Sequence, residues 1–185
     1  RNAEQWEVLK KDIIPKLTGK NRKLKVWSSA CSTGDEPYTL VMVLNEFFPL
    51  NEIRILATDI DEKAIEKARN GVYMERSIAN LPKPYISKYL VKEGSFYRIR
   101  DEVKKCVEFR KLNLLKDEYP TECDLIVCRN VLIYFTEDAK NLVYRKFNRS
   151  LKKDGILFVG STEQIIASKS FAFKPVRMFF YEKEE

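Results

Sequence analysis

The stretch Lys25–Tyr38, KVWSSACSTGDEPY, limits what this chain can fold into more than any other. It begins as a strand of buried character (Lys25, Val26, Trp27) and passes through five small residues, Ala30 to Gly34. It then opens a helix at Asp35, Glu36 and Pro37. Proline in a first helical turn gives up no hydrogen bond, and acids there complement the helix dipole. A strand, a small-residue turn and a helix N-terminus in this order form the ligand cradle of an open α/β sheet, at the strands' C-terminal ends.

Apolar periodicity predicts alternating helices and strands around that cradle. Trp6, Leu9, Ile13 and Leu17 recur at helical spacing within Gln5–Leu17, and a second helix over Glu36–Phe48 stops at Pro49. Ile53–Thr58 is a strand leading to Asp59-Ile60-Asp61, followed by a helix over Glu62–Asn70 that Gly71 ends. Such units imply a parallel sheet built by right-handed crossovers. Residues 71–110 break the rhythm and are expected to be an insertion. A short helix over Tyr85–Leu90 precedes a β-hairpin of Phe96–Arg100 and Val103–Phe109 around Asp101-Glu102, whose second strand continues to Leu112 in the main sheet. Cys123–Cys128 (CDLIVC) is a nearly continuous apolar run, as a strand buried on both faces requires. A helix over Glu137–Leu151, a strand over Ile156–Gly160 and an antiparallel edge within Phe173–Glu182 complete the α/β pattern.

The 185 residues fit one domain with a sizeable core. The chain starts at Arg1 with a helical pattern under way and is expected to be a fragment lacking an upstream part. No apolar run reaches bilayer length, so no membrane insertion is expected. A net charge of +7 favours acidic partners, but Lys and Arg are scattered among 27 acids, and nucleic acid is not expected. Cys31, Cys106, Cys123 and Cys128 form no C-x-x-C pair, which points to reduced buried thiols in a cytoplasmic protein and to no metal site. Histidine is absent, which removes Ser-His and Cys-His catalysis.

Strand ends are where chemistry belongs in such a sheet. Asp59, ending the second strand, sits where nucleoside cofactors have their ribose hydroxyls bound by a carboxylate; the alternative is a helix cap, which Asp61 could equally supply. The cradle has neither G-x-G-x-x-G nor a P-loop lysine. Asp35 and Glu36 would repel a pyrophosphate and suit a cationic ligand, although Glu36 could be only a helix-start acid. S-adenosylmethionine, a phosphate-free nucleoside carrying a sulfonium and an ammonium, satisfies these conditions.

Five blocks then become recognisable together: ACSTGDEPYTL, ATDIDEKAIEKARNGVY, FRKLNLL, DLIVCRNVLIYF and LKKDGILFVGSTE. In this order, spanning nearly the whole chain, they resemble the chemotaxis-receptor glutamate methyltransferase family (CheR). Arg1-Asn2 with Trp6 resembles the end of that family's F-[FY]-R-[ND] segment. The resemblance implies a Rossmann-like class I methyltransferase fold with a small inserted antiparallel β-subdomain at residues 71–110, and a missing N-terminal helical domain. It implies S-adenosylmethionine as cofactor, S-adenosylhomocysteine as product, and glutamates on the cytoplasmic domains of methyl-accepting chemoreceptors as substrate. Arg1, Ala30, Cys31, Ser32, Glu36, Asp59, Ile60, Asn113, Leu114, Arg129 and Asn130 would then bind the cofactor, and Tyr134 would lie near the transferred methyl. Arg129 would serve the reaction too, by engaging the methionine or substrate carboxylate. The last block reads GSTE where the family often has G-H-S-E.

The missing histidine agrees with such chemistry. A glutamate carboxylate is ionised at neutral pH and needs no general base, only in-line positioning and removal of water. Tyr134 is therefore expected to orient or polarise; its alternative is packing as an aromatic, and that of Arg129 is a structural ion pair. A monomer that does not use a receptor pentapeptide tether is expected. Two rival functions remain: a methyltransferase for another acceptor, against which stands the absence of a D/N-P-P-Y-type motif, and a cofactor-sensing module without turnover.

Overall fold

The computed structural model describes residues 3–19, 23–161 and 163–185. Helix α1 (Ala3–Val8) continues through a π turn (Leu9–Ile13) into α2 (Ile14–Thr18). Pro15 has no N–H to donate inside a helix, and the widened turn before it accommodates that loss. Leu9, Ile13 and Leu17 are buried as their spacing predicts, and Gln5 is buried in the same stripe.

The cradle unit is β1 (Val26–Ser28) followed by α3 (Asp35–Leu44), and the next is β2 (Ile55–Asp59) followed by α4 (Glu62–Asn70). The inserted segment holds β3 (Val72–Met74), α5 (Glu75–Ile78), α6 (Lys83–Tyr89), β4 (Leu90–Glu93), β5 (Phe96–Ile99) and α7 (Asp101–Lys104). Then come β6 (Val107–Lys111), β7 (Cys123–Cys128), α8 (Glu137–Ser150), β8 (Leu151–Val159), β9 (Phe173–Arg177) and β10 (Phe180–Lys183). The main sheet has the order β6-β2-β1-β7-β8-β10-β9. Its first five strands are mutually parallel, and β10 and β9 close the edge antiparallel, as expected.

Period-two alternation sends neighbouring residues into different cores. Val26, Leu125, Val127, Ile156, Phe158 and Phe180 face α1–α3, while Trp27, Ile126, Cys128, Leu157, Val159 and Tyr181 face α8. All six residues of β7 are buried, which fits its position in the middle of the sheet. Trp27 is fully buried, edge-on to Tyr119 (4.9 Å between ring centroids) and Phe147 (5.6 Å). Its indole N–H donates to Thr58 Oγ1 at 3.0 Å. The four cysteines are free and buried. Among the described residues no helix is long and apolar enough to cross a membrane.

The hairpin lies elsewhere than expected. Phe96–Ile99 pairs antiparallel with β4 and with β3, while Val107–Lys111 pairs in parallel with β2. Asp101-Glu102 begins the short helix α7, and the tight turn is Gly94-Ser95, with Gly94 at φ 62°. Glycine allows that left-handed backbone at little cost, so the register closes there. Strand β8 also starts earlier than its apolar run; Asp154 at φ 64° and a register break opposite Cys123–Leu125 mark the expected turn inside it.

Trp27→Ala would remove the ring that joins β1 to α8. It is expected to lower the free energy of unfolding in urea by about 3–5 kcal/mol, the usual loss for a large buried aromatic.

Candidate active site

The loop after β1 is suspended between its two neighbouring strands. Ser29 donates its backbone N–H and its hydroxyl to the Val127 carbonyl, both at 2.9 Å. Cys31 N–H donates to the Thr58 carbonyl at 2.8 Å, and Thr58 Oγ1 donates to the Ser29 carbonyl at 2.9 Å. Ser32 turns left-handed at φ 49°, and Gly34, at φ 97°, delivers the chain to α3. A Cβ on Gly34 would stand 2.8 Å from Ala68 Cβ and 2.9 Å from Tyr73 Oη, so only glycine lets the loop lie this close to α4. Tyr73 secures the same loop by donating to the Thr33 carbonyl at 2.7 Å.

The two acids after β2 have separate tasks. Asp61 is the N-cap of α4, with Oδ1 accepting from Lys63 N–H (2.9 Å) and Ala64 N–H (3.3 Å). Asp59 caps nothing: Oδ2 accepts from Ser32 N–H at 2.9 Å and Oδ1 from Asp61 N–H at 3.0 Å. Each oxygen so used keeps acceptor capacity, and the half-buried carboxylate is fixed beside the cradle. Ala30 is half-buried, Ser32 exposed, and Ile60 58% exposed on the rim next to Asp59. Cys31 is buried, and burial first, then the charges of Asp59 and Glu36, push its thiol up to about 12, so it is inert as a nucleophile.

Glu36 points back from the first turn of α3 and accepts from Ser28 Oγ at 2.7 Å. Burial pushes its carboxyl up to about 7; the Ser28 hydroxyl and the Arg129 guanidinium counteract that push, and Glu163 adds to it. Arg129 follows directly on β7 and is only 8% exposed. Its guanidinium carbon lies 4.9 Å from the Phe158 ring centroid and 5.5 Å from that of Trp6. Its Nη2 donates to Gln5 Oε1 at 3.1 Å, while its Nε is buried without a hydrogen-bond partner. Among the described residues no carboxylate hydrogen-bonds this arginine; Glu36 and Glu163 act on it through the field.

Asn130 takes the left-handed conformation at φ 63° and is exposed. Beyond it Tyr134, in the 3₁₀ turn Leu132–Tyr134, is 81% exposed. Leu132 takes the core place instead, so Tyr134 is not a packed aromatic. After β6, Asn113 forms an Asx turn, with Oδ1 accepting from Leu115 N–H at 2.9 Å and its N–H donating to Asp117 Oδ2 at 2.7 Å, and Leu114 is buried. Arg1 lies outside the described residues.

Sequence reasoning assigned nothing to Gln5 and nothing to Glu163. Gln5 sits four residues before Leu9 on the apolar stripe, a polar residue on a buried face. Glu163 follows Gly160 at the end of a buried strand and closes the GSTE block, and neither signal gave it a role. A cavity of about 460 Å³ lies around Lys23, Arg54 and Lys152 at the N-terminal ends of the strands, away from the cradle, and one of about 1030 Å³ lies between α1, α3 and the inserted segment, reaching Trp6, Asp35 and Tyr73 beside the cradle.

The donor set suits one kind of ligand. Two acids at the ends of adjacent strand–helix units could face a cationic nucleoside, and the unpaired buried Nε of Arg129 could donate to a carboxylate. S-adenosylmethionine fits these residues.

Residues 1–180 match the family described as CheR methyltransferase, SAM binding domain. A chemotaxis protein methyltransferase of Listeria innocua is 40% identical over 184 residues, covering 99% of this chain and 70% of that protein. One from Borreliella burgdorferi is 40% identical over 185 residues, covering 94% of this chain and 65% of its own length. The fold is also that of a TehB-like SAM-dependent methyltransferase from Corynebacterium glutamicum, at a TM-score of 0.54 and 15% identity, with 97% of this chain and 92% of the other covered. With the sheet order, the acid-lined cradle and the matched residues in agreement, the chain belongs to the CheR methyltransferase family and is built around S-adenosylmethionine.

Proposed function

We propose that this protein transfers the methyl group of S-adenosylmethionine to glutamate side chains on the cytoplasmic domains of chemoreceptors, yielding a carboxyl methyl ester and S-adenosylhomocysteine. The observation that carries this reading is Glu36 and Asp59 at adjacent strand–helix junctions, with the under-bonded Arg129 on the neighbouring strand. The receptor as acceptor is supported by the names of the relatives, chemotaxis protein methyltransferases. On this reading residues 1–185 act as one catalytic domain in the cytoplasm, with the small sheet inserted.

S-adenosylmethionine supplies an electrophilic methyl on a sulfonium. Asp59 offers its remaining lone pairs to the ribose hydroxyls, and Asn113 and Leu114 flank the base, with Ile60 on the rim. Ala30, Cys31 and Ser32 form the backbone floor. Arg129 and Asn130 hold the methionine end, and Glu36 faces the positive charge. Tyr134, free of the core, orients the incoming carboxylate with its hydroxyl. That carboxylate arrives ionised, so none of these residues has to remove a proton. Their contribution is alignment and exclusion of water.

Incubation of the full-length protein with methyl-labelled cofactor and receptor-containing membranes is expected to give label that base releases as a volatile product. Base-stable label would assign another acceptor, and no label a sensor. Asp59→Ala is expected to weaken cofactor binding about 10- to 100-fold by calorimetry, the range for a hydrogen bond to a charged group.

Glu36 gives binding and stability opposite pH slopes. Its carboxyl is raised from 4.5 to about 7 in the fold, so the free folded state holds the proton that the unfolded chain releases. Stability of the free protein is expected to fall as pH rises between those values, while affinity for the cationic cofactor rises through about pH 7. Glu36→Gln is expected to flatten both slopes, measured by thermal unfolding and calorimetry across pH.

A further inference from the structure

Glu163 is 4% exposed and lies just beyond the end of β8. Its carboxylate accepts three consecutive backbone N–H groups of the turn after β7. Oε1 takes that of Asn130, and Oε2 takes those of Val131 (3.1 Å) and Leu132 (2.7 Å). Three successive N–H groups aimed at one point form an anion-binding nest, here filled by the chain's own acid. Gly160 makes the approach possible: a Cβ there would stand 2.6 Å from Glu163 Oε1, 2.9 Å from Asn130 Oδ1 and 3.0 Å from Asn130 N.

We infer that Glu163 is a positioning residue for the methyl-transfer site, clamping the turn on which Arg129, Asn130 and Tyr134 are carried. The left-handed backbone of Asn130 is uncommon for a residue with a side chain, and the three hydrogen bonds hold it there. This orientation presents Asn130 to solvent at the strand end while Arg129, one residue earlier, stays buried against Phe158. Both oxygens are needed. A glutamine has one acceptor oxygen, and its amide nitrogen would meet a backbone N–H donor to donor. The isosteric amide therefore fails where the carboxylate succeeds. The charge acts as well, since Glu163 opposes ionisation of Glu36 and attracts Arg129.

The inference rests on the assignment of Arg129 and Asn130 to the cofactor, and the test separates the two. S-adenosylmethionine affinity is measured by calorimetry across pH for the parent, E163Q, E163D, R129A and N130A, with thermal unfolding of each. Folded E163Q is expected to bind at least 10-fold more weakly than the parent, with E163D in between. The pH midpoint of S-adenosylmethionine binding in E163Q is expected to move lower, a shift that loss of fold stability alone would not produce. Parental affinity and midpoint in folded E163Q overturn the inference. So does failure of both E163Q and E163D to fold, because the carboxylate would then serve the fold and not the site. If R129A and N130A also bind like the parent, the cofactor assignment falls with it; if they lose binding while E163Q keeps it, only the role of Glu163 falls.

Discussion

Backbone groups that leave a sheet and stay buried must find partners, and here that requirement and the binding site have the same solution. At the ends of β1, β2 and β7 the partners are Ser29, Thr58, Asp59 and Glu163. Asp59 ties the β1 loop to the β2 loop, and Glu163 ties the β7 turn to the end of β8. Each acid is thereby immobilised beside the crevice where strand ends converge. A carboxylate held by backbone N–H groups keeps its geometry without a ligand. The site is thus arranged by the same bonds that finish the sheet.

The charges at this crevice are held in an unusual balance. Arg129 is buried against two aromatic faces and a neutral Gln5, with Glu36 and Glu163 near enough to act through the field but neither bonded to it. A guanidinium so placed keeps donor capacity that a direct carboxylate partner would consume. Glu36, raised by burial, is correspondingly poised to ionise when a cation arrives. Every one of these groups prepares for a ligand bearing both signs of charge. A nucleophile that is ionised already asks none of them to take a proton.

Much of this was legible in the chain. The run CDLIVC matches β7 to the residue, and Glu62–Asn70 matches α4, because an N-cap acid and a terminal glycine bracket it. The sequence left open which acid caps α4, and the geometry gives that task to Asp61 and leaves Asp59 beside the cradle. Legibility failed where partners lie far apart in the chain. The sequence reading put the hairpin turn at Asp101-Glu102, whereas the strands pair across Gly94-Ser95 and β6 runs parallel to β2, a long-range pairing that no local pattern shows. Gln5 meets Arg129 across 124 positions, and Glu163 meets Asn130 across 33. No local pattern encodes such contacts.

The overall charge and the acids at the strand ends have opposite signs. The chain carries +7, yet the strand ends that receive the cofactor are lined with Glu36, Asp59, Asp61 and Glu163. Exposed charges more than about 8 Å apart are screened from one another at physiological salt. The acids therefore govern the cation within the crevice, while the dispersed lysines and arginines set the field met by a macromolecule approaching from outside.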